Sequence, residues 1–202
     1  MKNFIIVFGC LLFCSTAYTQ TITGVDLFSP FYDGLSAIKK GTYWGFMDRD
    51  GVKVIEFRDD LVMHTNNDDS IAYPKFYNER CIFKKLINDT HHYGYIDKQG
   101  KEIIAAQYLN VTNFINGYAI IATLSKDTVG HNEVLGMPIY ASKIEEYIID
   151  TSGKIIKYLD NSRNFVPSKV KSENTLRLRS KFIAPGLVAV KNKNEKWEIH
   201  KF

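Results

Sequence analysis

Apolar positions along the chain alternate over short stretches that Gly, Asp and Asn interrupt, and no long stretch keeps a helical spacing. Alternation puts successive side chains on opposite sides of an extended backbone, so the pattern predicts many short β-strands joined by tight turns. Two elements recur in a fixed order. The first opens on an aromatic residue, passes a tight turn built on Gly or Asn, and continues as an alternating strand, at Phe31–Lys40, Phe76–Lys85, Phe114–Ala122 and Phe182–Lys191. The second is a strand, an Asp-x-x-Gly turn and a further strand: Tyr43–Gly51 followed by VKVI, His92–Gly100 followed by KEII, and Glu146–Gly153 followed by KII.

The Asp-x-x-Gly spacing has a physical cause. An Asp side chain at the first turn position accepts hydrogen bonds from the amides ahead of it, and Gly takes the positive-φ position that a type I turn with a bulge requires. Asp48, Asp97 and Asp150 are therefore read as turn formers, against the alternative of paired glycosidase acids, because each repeats as its turn repeats. Trp44, Tyr93 and Trp197 share one position in the repeat, and Phe31, Phe76, Phe114 and Phe182 share another. They are expected to anchor the core of each unit; stacking on sugars would instead need the rings on an exposed face. The fourth copy runs out at KWEIHKF, where Trp197 falls on the Trp44 position and no Asp-x-x-Gly turn follows. Insertions at 58–70, 125–142 and 157–181 separate the units and are expected to be loops on one rim, where repeat folds hold function.

The ordered pair, aromatic-x-x-Gly-Leu-Ala-x-Val and then Trp-Gly-Tyr-Ile-Asp-x-x-Gly-Lys-x-Ile-Ile, resembles the WG repeat family, most fully at YWGFMDRDGVKVI and YGYIDKQGKEII. Glu146-Tyr147 stands where the third unit should have Trp-Gly, and Trp197-Glu198 keeps only the Trp in the fourth. The structural repeat positions are then Trp44, Gly45, Asp48, Gly51, Tyr93, Gly94, Asp97, Gly100, Asp150, Gly153 and Trp197. The resemblance implies a β-repeat module, often found in exported bacterial proteins, with no common activity and no catalytic residues to carry over. The expected fold is all-β: about three and a half units of antiparallel β-hairpin repeats in a single array, with residues 20–202 as one WG-repeat-like domain. Whether the array stays open or closes like a barrel or a propeller is left open by the pattern.

The first residues change the picture of where the protein works. Lys2 precedes an apolar run from Phe4 to Phe13, and small or polar residues follow from Ser15 to Thr19. That is the layout of a cleaved secretory signal, expected over residues 1–19, and the run is too short to span a membrane as a helix. Cys10 and Cys14 raise a lipid-anchor reading, which Phe13 disfavours by its bulk before Cys14, and Cys10 by leaving almost no apolar run ahead of it. After cleavage Cys81 is the last of three cysteines, so no intramolecular disulfide is expected. It aligns with Ser36 and Ala119, a small-residue slot that suits a buried, inert thiol. The +4 charge comes from 26 basic and 22 acidic side chains scattered in sign, which favours solubility over a nucleic-acid footprint.

Candidate chemistry is sparse. Of five histidines, His64, His91, His92, His131 and His200, only His91-His92 are adjacent, and neighbours on a strand point to opposite faces. The acidic run with Asp59, Asp60, Asp68 and Asp69 lacks the alternating oxygen ligands, central Gly and closing Glu of a calcium loop. From Lys154 to Lys181 the chain is basic, and LRLRS is expected to be an amphipathic edge strand with Arg177 and Arg179 on one face and Leu176 and Leu178 on the other. The expected function is an exported, non-catalytic binding or interaction module of the cell envelope, periplasmic, secreted or at the cell surface. Its partner is expected to be an envelope protein or glycan, with no nucleic acid, no cofactor, no metal and no membrane span after signal removal. The possible binding loops carry His64, His91, His92, His131, Arg177 and Arg179. A glycan-binding module using exposed aromatics, and an exported hydrolase with a convergent site near His64, Asp68, His91 or His131, are the alternatives.

Overall fold

The computed structural model describes residues 21–64, 71–165 and 176–202, and the expected signal segment lies outside them. Among the described residues are fifteen β-strands and no helix, arranged as four antiparallel sheets in chain order. The first holds β1 (Leu27–Tyr32), β2 (Leu35–Lys40), β3 (Tyr43–Met47) and β4 (Lys53–Arg58). The second holds β5 (Cys81–Ile87), β6 (Thr90–Ile96) and β7 (Glu102–Tyr108). The third is built on β9 (Tyr118–Asn132) and β10 (Met137–Asp150), with β8 (Asn110–Val111), β11 (Ile155–Tyr158) and β12 (Arg163–Asn164) beside them. The fourth holds β13 (Ser180–Ala184), β14 (Leu187–Lys191) and β15 (Trp197–Lys201). Among the described residues no strand pairing joins one sheet to the next or the last to the first, so the sheets do not form a hydrogen-bonded barrel.

Each junction between sheets has its own core, which is the mark of a quasi-one-dimensional repeat fold. Trp44, Phe46 and Ile55 of the first sheet pack with Phe76, Cys81, Phe83 and Ile96 at the second. Ile82, Tyr93, Tyr95 and Ile104 of the second pack with Phe114, Ala119, Ile121 and Ile149 at the third. Ile120 and Ile148 of the third pack with Val188 and Val190 of the fourth. Strand alternation explains how a middle sheet serves two cores: Cys81 and Phe83 face backward while Ile82 faces forward, and Ile121 faces backward while Ile120 faces forward.

Two turn types repeat with the units. At the aromatic-led turn, Asp33-Gly34, Asn78-Glu79 and Asn116-Gly117 all have positive φ, the requirement of a type I′ hairpin turn. In the fourth unit Pro185 precedes Gly186 (φ 71), and Ile183 is accommodated by a bulge. At the second turn, Asp48 Oδ1 accepts from the amides of Asp50 and Val52 at 3.0 and 2.9 Å. Asp97 repeats this with Gln99 and Lys101, both at 2.9 Å, and Asp150 with Ser152 and Lys154 at 2.9 and 3.0 Å. The hydrogen bond from the Ser152 hydroxyl, more than any other neighbour, holds the Asp150 carboxyl below its ordinary range.

The Gly of the Trp-Gly pair has a different role, because its φ is not positive. A Cβ on Gly45 would lie 2.7 Å from the Ile55 carbonyl oxygen, and one on Gly94 would lie 2.4 Å from that of Ile104. Both face a register shift in the neighbouring strand, between Trp44 and Phe46 against β4 and between Tyr93 and Tyr95 against β7. The bulged backbone occupies the space a side chain would need. In the third unit Tyr147 replaces this Gly, and there Tyr147 and Ile148 pair with Tyr158 and Lys157 without a shift.

Several expectations are corrected. Phe76, Phe114, Trp44 and Tyr93 are buried, but Phe31 and Trp197, expected in the core, are 39% and 48% exposed, and Phe182 is only partly buried. Trp197 does hold the Trp44 register, pairing with Lys191 as Trp44 pairs with Lys39. Both exposed rings belong to the first and last sheets, where one face has no neighbouring unit among the described residues, and cations lie over them instead: Arg49 over Phe31, Lys181 and Lys191 over Trp197. Residues 125–142, expected as a loop, are the outer halves of β9 and β10. LRLRS is not a strand before Ser180, although Leu176 and Leu178 pack inward and Arg177 is exposed.

Candidate functional site

The residues singled out for binding do not gather in one place. His64 bridges Tyr73 and meets the Tyr77 ring edge-on at 6.3 Å. Desolvation, with a smaller push from Lys75, lowers its pKa to about 4, so the imidazole is neutral at pH 7. Its Nε2 and the Oδ1 of nearby Asn113 are buried without partners. His91 and His92 lie half-buried on β6, with His92 Nδ1 3.1 Å from the Thr90 carbonyl, while His131 is exposed far along β9. Asp68 lies outside the described residues, and among those described no three His, Cys, Asp or Glu side chains gather to hold a metal ion. Arg58 clasps Asp60 through Nε and a terminal nitrogen at 2.5 and 2.7 Å, which gives the acidic run a structural partner. Burial pushes the Cys81 thiol far above its ordinary value, which suits an inert core residue.

A lysine missed in the sequence, Lys75, is buried with its ammonium 4.7 and 4.4 Å from the centres of the Tyr32 and Tyr73 rings. Nothing in YPKFY marks it, since a lysine between aromatics reads equally well as an exposed strand residue.

The basic stretch is drawn into the joint between the third and fourth sheets. Glu146, standing at the Trp position of the repeat, is fully buried. Its carboxylate accepts from Asn161 Nδ2 at 2.9 Å, from a terminal nitrogen of Arg163 at 2.9 Å and from the Arg179 amide at 2.8 Å. Asn161 also donates to the Ser180 hydroxyl at 2.9 Å, so a polar network fills the slot that an indole fills in the first unit. Beside it lies a pocket of about 380 Å³ lined by Lys143, Ser162, Arg163, Asn164, Arg179 and Lys193.

The third sheet supplies the most exposed apolar surface. Beyond the stretch where Leu109, Ala122 and Ile144 form a small core, β9 and β10 run on as a two-stranded ribbon closed by a turn at Glu133–Gly136. About eight residues per strand carry it roughly 25 Å outward. Residues 126–140 are exposed throughout except Asn132, whose Oδ1 caps the turn by accepting from the amides of Val134 and Leu135 at 3.0 Å each. Val129, Val134, Leu135, Met137, Ile139 and Tyr140 all stand in solvent on this ribbon.

Stacked hairpin sheets, Asx-capped turns and a Gly pressed against a bulge define a class of β-repeat arrays. Within it, residues 93–123, from β6 through the Asp97 turn to the first part of β9, match the family model described as the WG containing repeat, so the chain carries a WG repeat. No curated protein and no solved structure matches the chain.

Proposed function

We propose that this protein is an exported, non-catalytic binding module of the cell envelope, and that it holds a partner protein through the β9–β10 ribbon. One observation carries the reading: a ribbon that holds Val129, Val134, Leu135, Met137, Ile139 and Tyr140 in solvent, interleaved with the exposed polar residues Lys126, Asp127, Thr128, His131 and Glu133. Aliphatic groups held in water cost free energy that a partner's cover removes, and exposed apolar patches mark interaction sites. Sugar stacking favours flat aromatic rings, and of Phe, Trp and Tyr this ribbon exposes Tyr140 alone. The free edges of the ribbon also offer unpaired backbone groups to an added strand. The export pattern of residues 1–19 supports the envelope as the place of action.

The test is capture of envelope proteins on the immobilised protein, compared with a Val134→Asp/Leu135→Asp variant of the ribbon turn. A saturable partner that the wild type retains and the variant loses, with melting unchanged, is the expected result. The same partners on both proteins, or binding of the wild type to phospholipid vesicles instead of protein, would overturn it.

A further inference from the structure

We propose that the pocket between the third and fourth sheets is a binding site for an oxyanion: a carboxylate, sulfate or phosphate group. Four elements converge on it: Lys143 from β10, Ser162, Arg163 and Asn164 at β12, Arg179 ahead of β13, and Lys193 from the turn between β14 and β15. Four of the six lining side chains are cationic and none is acidic, and Ser162 and Asn164 add neutral hydrogen-bonding groups.

The protein's own carboxylates occupy only part of this capacity. Lys143 reaches Asp127 at 2.6 Å, and Arg179 reaches Glu195 at 2.5 Å, both at the exposed margin. Arg163 spends one terminal nitrogen on the buried Glu146 and the other on the Arg177 carbonyl. Lys193 is exposed and makes no ion pair among the described residues. An oxyanion in the pocket would be met by charge-assisted donors, Lys193 and Lys143 at its margin and the Arg163 and Arg179 guanidinium groups behind them. The Glu146 network fixes Arg163 in place before any ligand arrives, so little side-chain freedom is lost on binding. At about 380 Å³ the space falls in the range of small-molecule sites and exceeds what a bare ion fills.

The experiment titrates the intact mature protein with sodium sulfate, with glucuronate and with neutral glucose, following amide chemical shifts by NMR. Sulfate or glucuronate should shift Lys193, Arg179 and Ser162 saturably, glucose should not, and binding should weaken as sodium chloride is raised. Saturation by glucuronate assigns a carboxylate ligand, and saturation by sulfate alone assigns a sulfate or phosphate ester. Lys193→Glu, at a position exposed and without an ion pair among the described residues, should weaken binding about tenfold or more with melting unchanged. Capture of the protein partner through the ribbon should survive that substitution, which separates this site from the docking reading. Absence of saturable shifts with either anion, equal response to glucose, or undiminished binding in Lys193→Glu would overturn the proposal.

Discussion

The Asn78 side chain accepts a hydrogen bond from the amide of Gly117 at 2.8 Å, across 39 positions of sequence. One unit earlier, Asp33 accepts from the amide of Glu79 at 2.5 Å. In both cases the first residue of a type I′ turn caps the second residue of the equivalent turn in the next unit, so a ladder of turn-to-turn bonds runs along one edge of the array. Asn116 occupies the next place, but Pro185 alters the turn beyond it, and an apolar cleft of about 380 Å³ opens there between Ile115, Tyr118, Phe182 and Phe202. The ladder gives the aromatic-led turn a reason to carry Asp or Asn beyond its tolerance of positive φ.

Replacing Asn78 with Gly keeps the turn conformation and removes the acceptor. Stability should fall by about 0.5 to 1 kcal/mol, while Asn78→Asp should stay near wild type. Urea midpoints for the two variants check this, and equal losses would show that the turn, not the bond between units, is what Asn78 supports.

Gly94→Ala should cost about 3 kcal/mol or more, because its Cβ would sit 2.4 Å from the Ile104 carbonyl oxygen and 2.7 Å from the Ala106 amide nitrogen. Gly34→Ala is strained by its φ of 88°, but nothing lies within 4 Å of the new atom. It should cost only about 1 kcal/mol. The ordering of the two losses in thermal unfolding is the check; the reverse ordering would remove the explanation of the Trp-Gly glycine.

Trp44 and Trp197 share a register but not an environment. Trp44→Ala should destabilise by about 3 to 5 kcal/mol, and Trp197→Ala by less than about 1.5 kcal/mol, since its ring is half exposed and held mainly by lysines. Denaturant unfolding of both variants reads the difference.

Glu146→Ala should be among the most damaging substitutions, at about 3 to 5 kcal/mol, because it leaves Arg163, the Arg179 amide and Asn161 without their acceptor at a buried site. Glu146→Gln keeps an acceptor for one or two of these donors and should lose less. Differential scanning calorimetry of the pair checks the order.

His64 sets a pH dependence whose sign is fixed. Its folded pKa of about 4 lies below the unfolded value of 6.5, so the unfolded chain binds the extra proton and stability is lost as pH falls between them. From pH 7 to pH 4.5 the loss from this group should be about 2 kcal/mol. A flatter profile is expected in His64→Gln, and identical profiles would show that His64 is solvated.

Much of the architecture was legible in the chain. Alternation, the Asp-x-x-Gly turns and the aromatic-led turns are local, and each rests on backbone geometry that a few neighbouring residues decide. The ribbon was not legible as strands, because TLSKDTVGHNEVLGMPIYAS mixes Gly, Pro and Asn into its alternation and reads as a loop. The turn joining β14 to β15 makes the same amide bonds to Asn192 Oδ1, at a different place in the unit, and does not show in the sequence because Glu195 with φ 61 takes the position that Gly holds in the Asp-x-x-Gly turns.

By itself, then, the sequence determined the strand-and-turn unit, its repetition and its likeness to WG repeats, because these depend on contacts within a few residues. Only the tertiary structure decided which anchors are buried, since among the described residues no unit stacks on Phe31 or Trp197 as one does on Phe76 and Trp44. The same holds for the basic pocket: Lys143, Arg163, Arg179 and Lys193 are spread over fifty positions and converge because Glu146, buried at the slot of a missing Trp, draws Arg163 and the Arg179 backbone to itself. A buried charge must find its partners wherever the fold can bring them, and no local pattern records where that is.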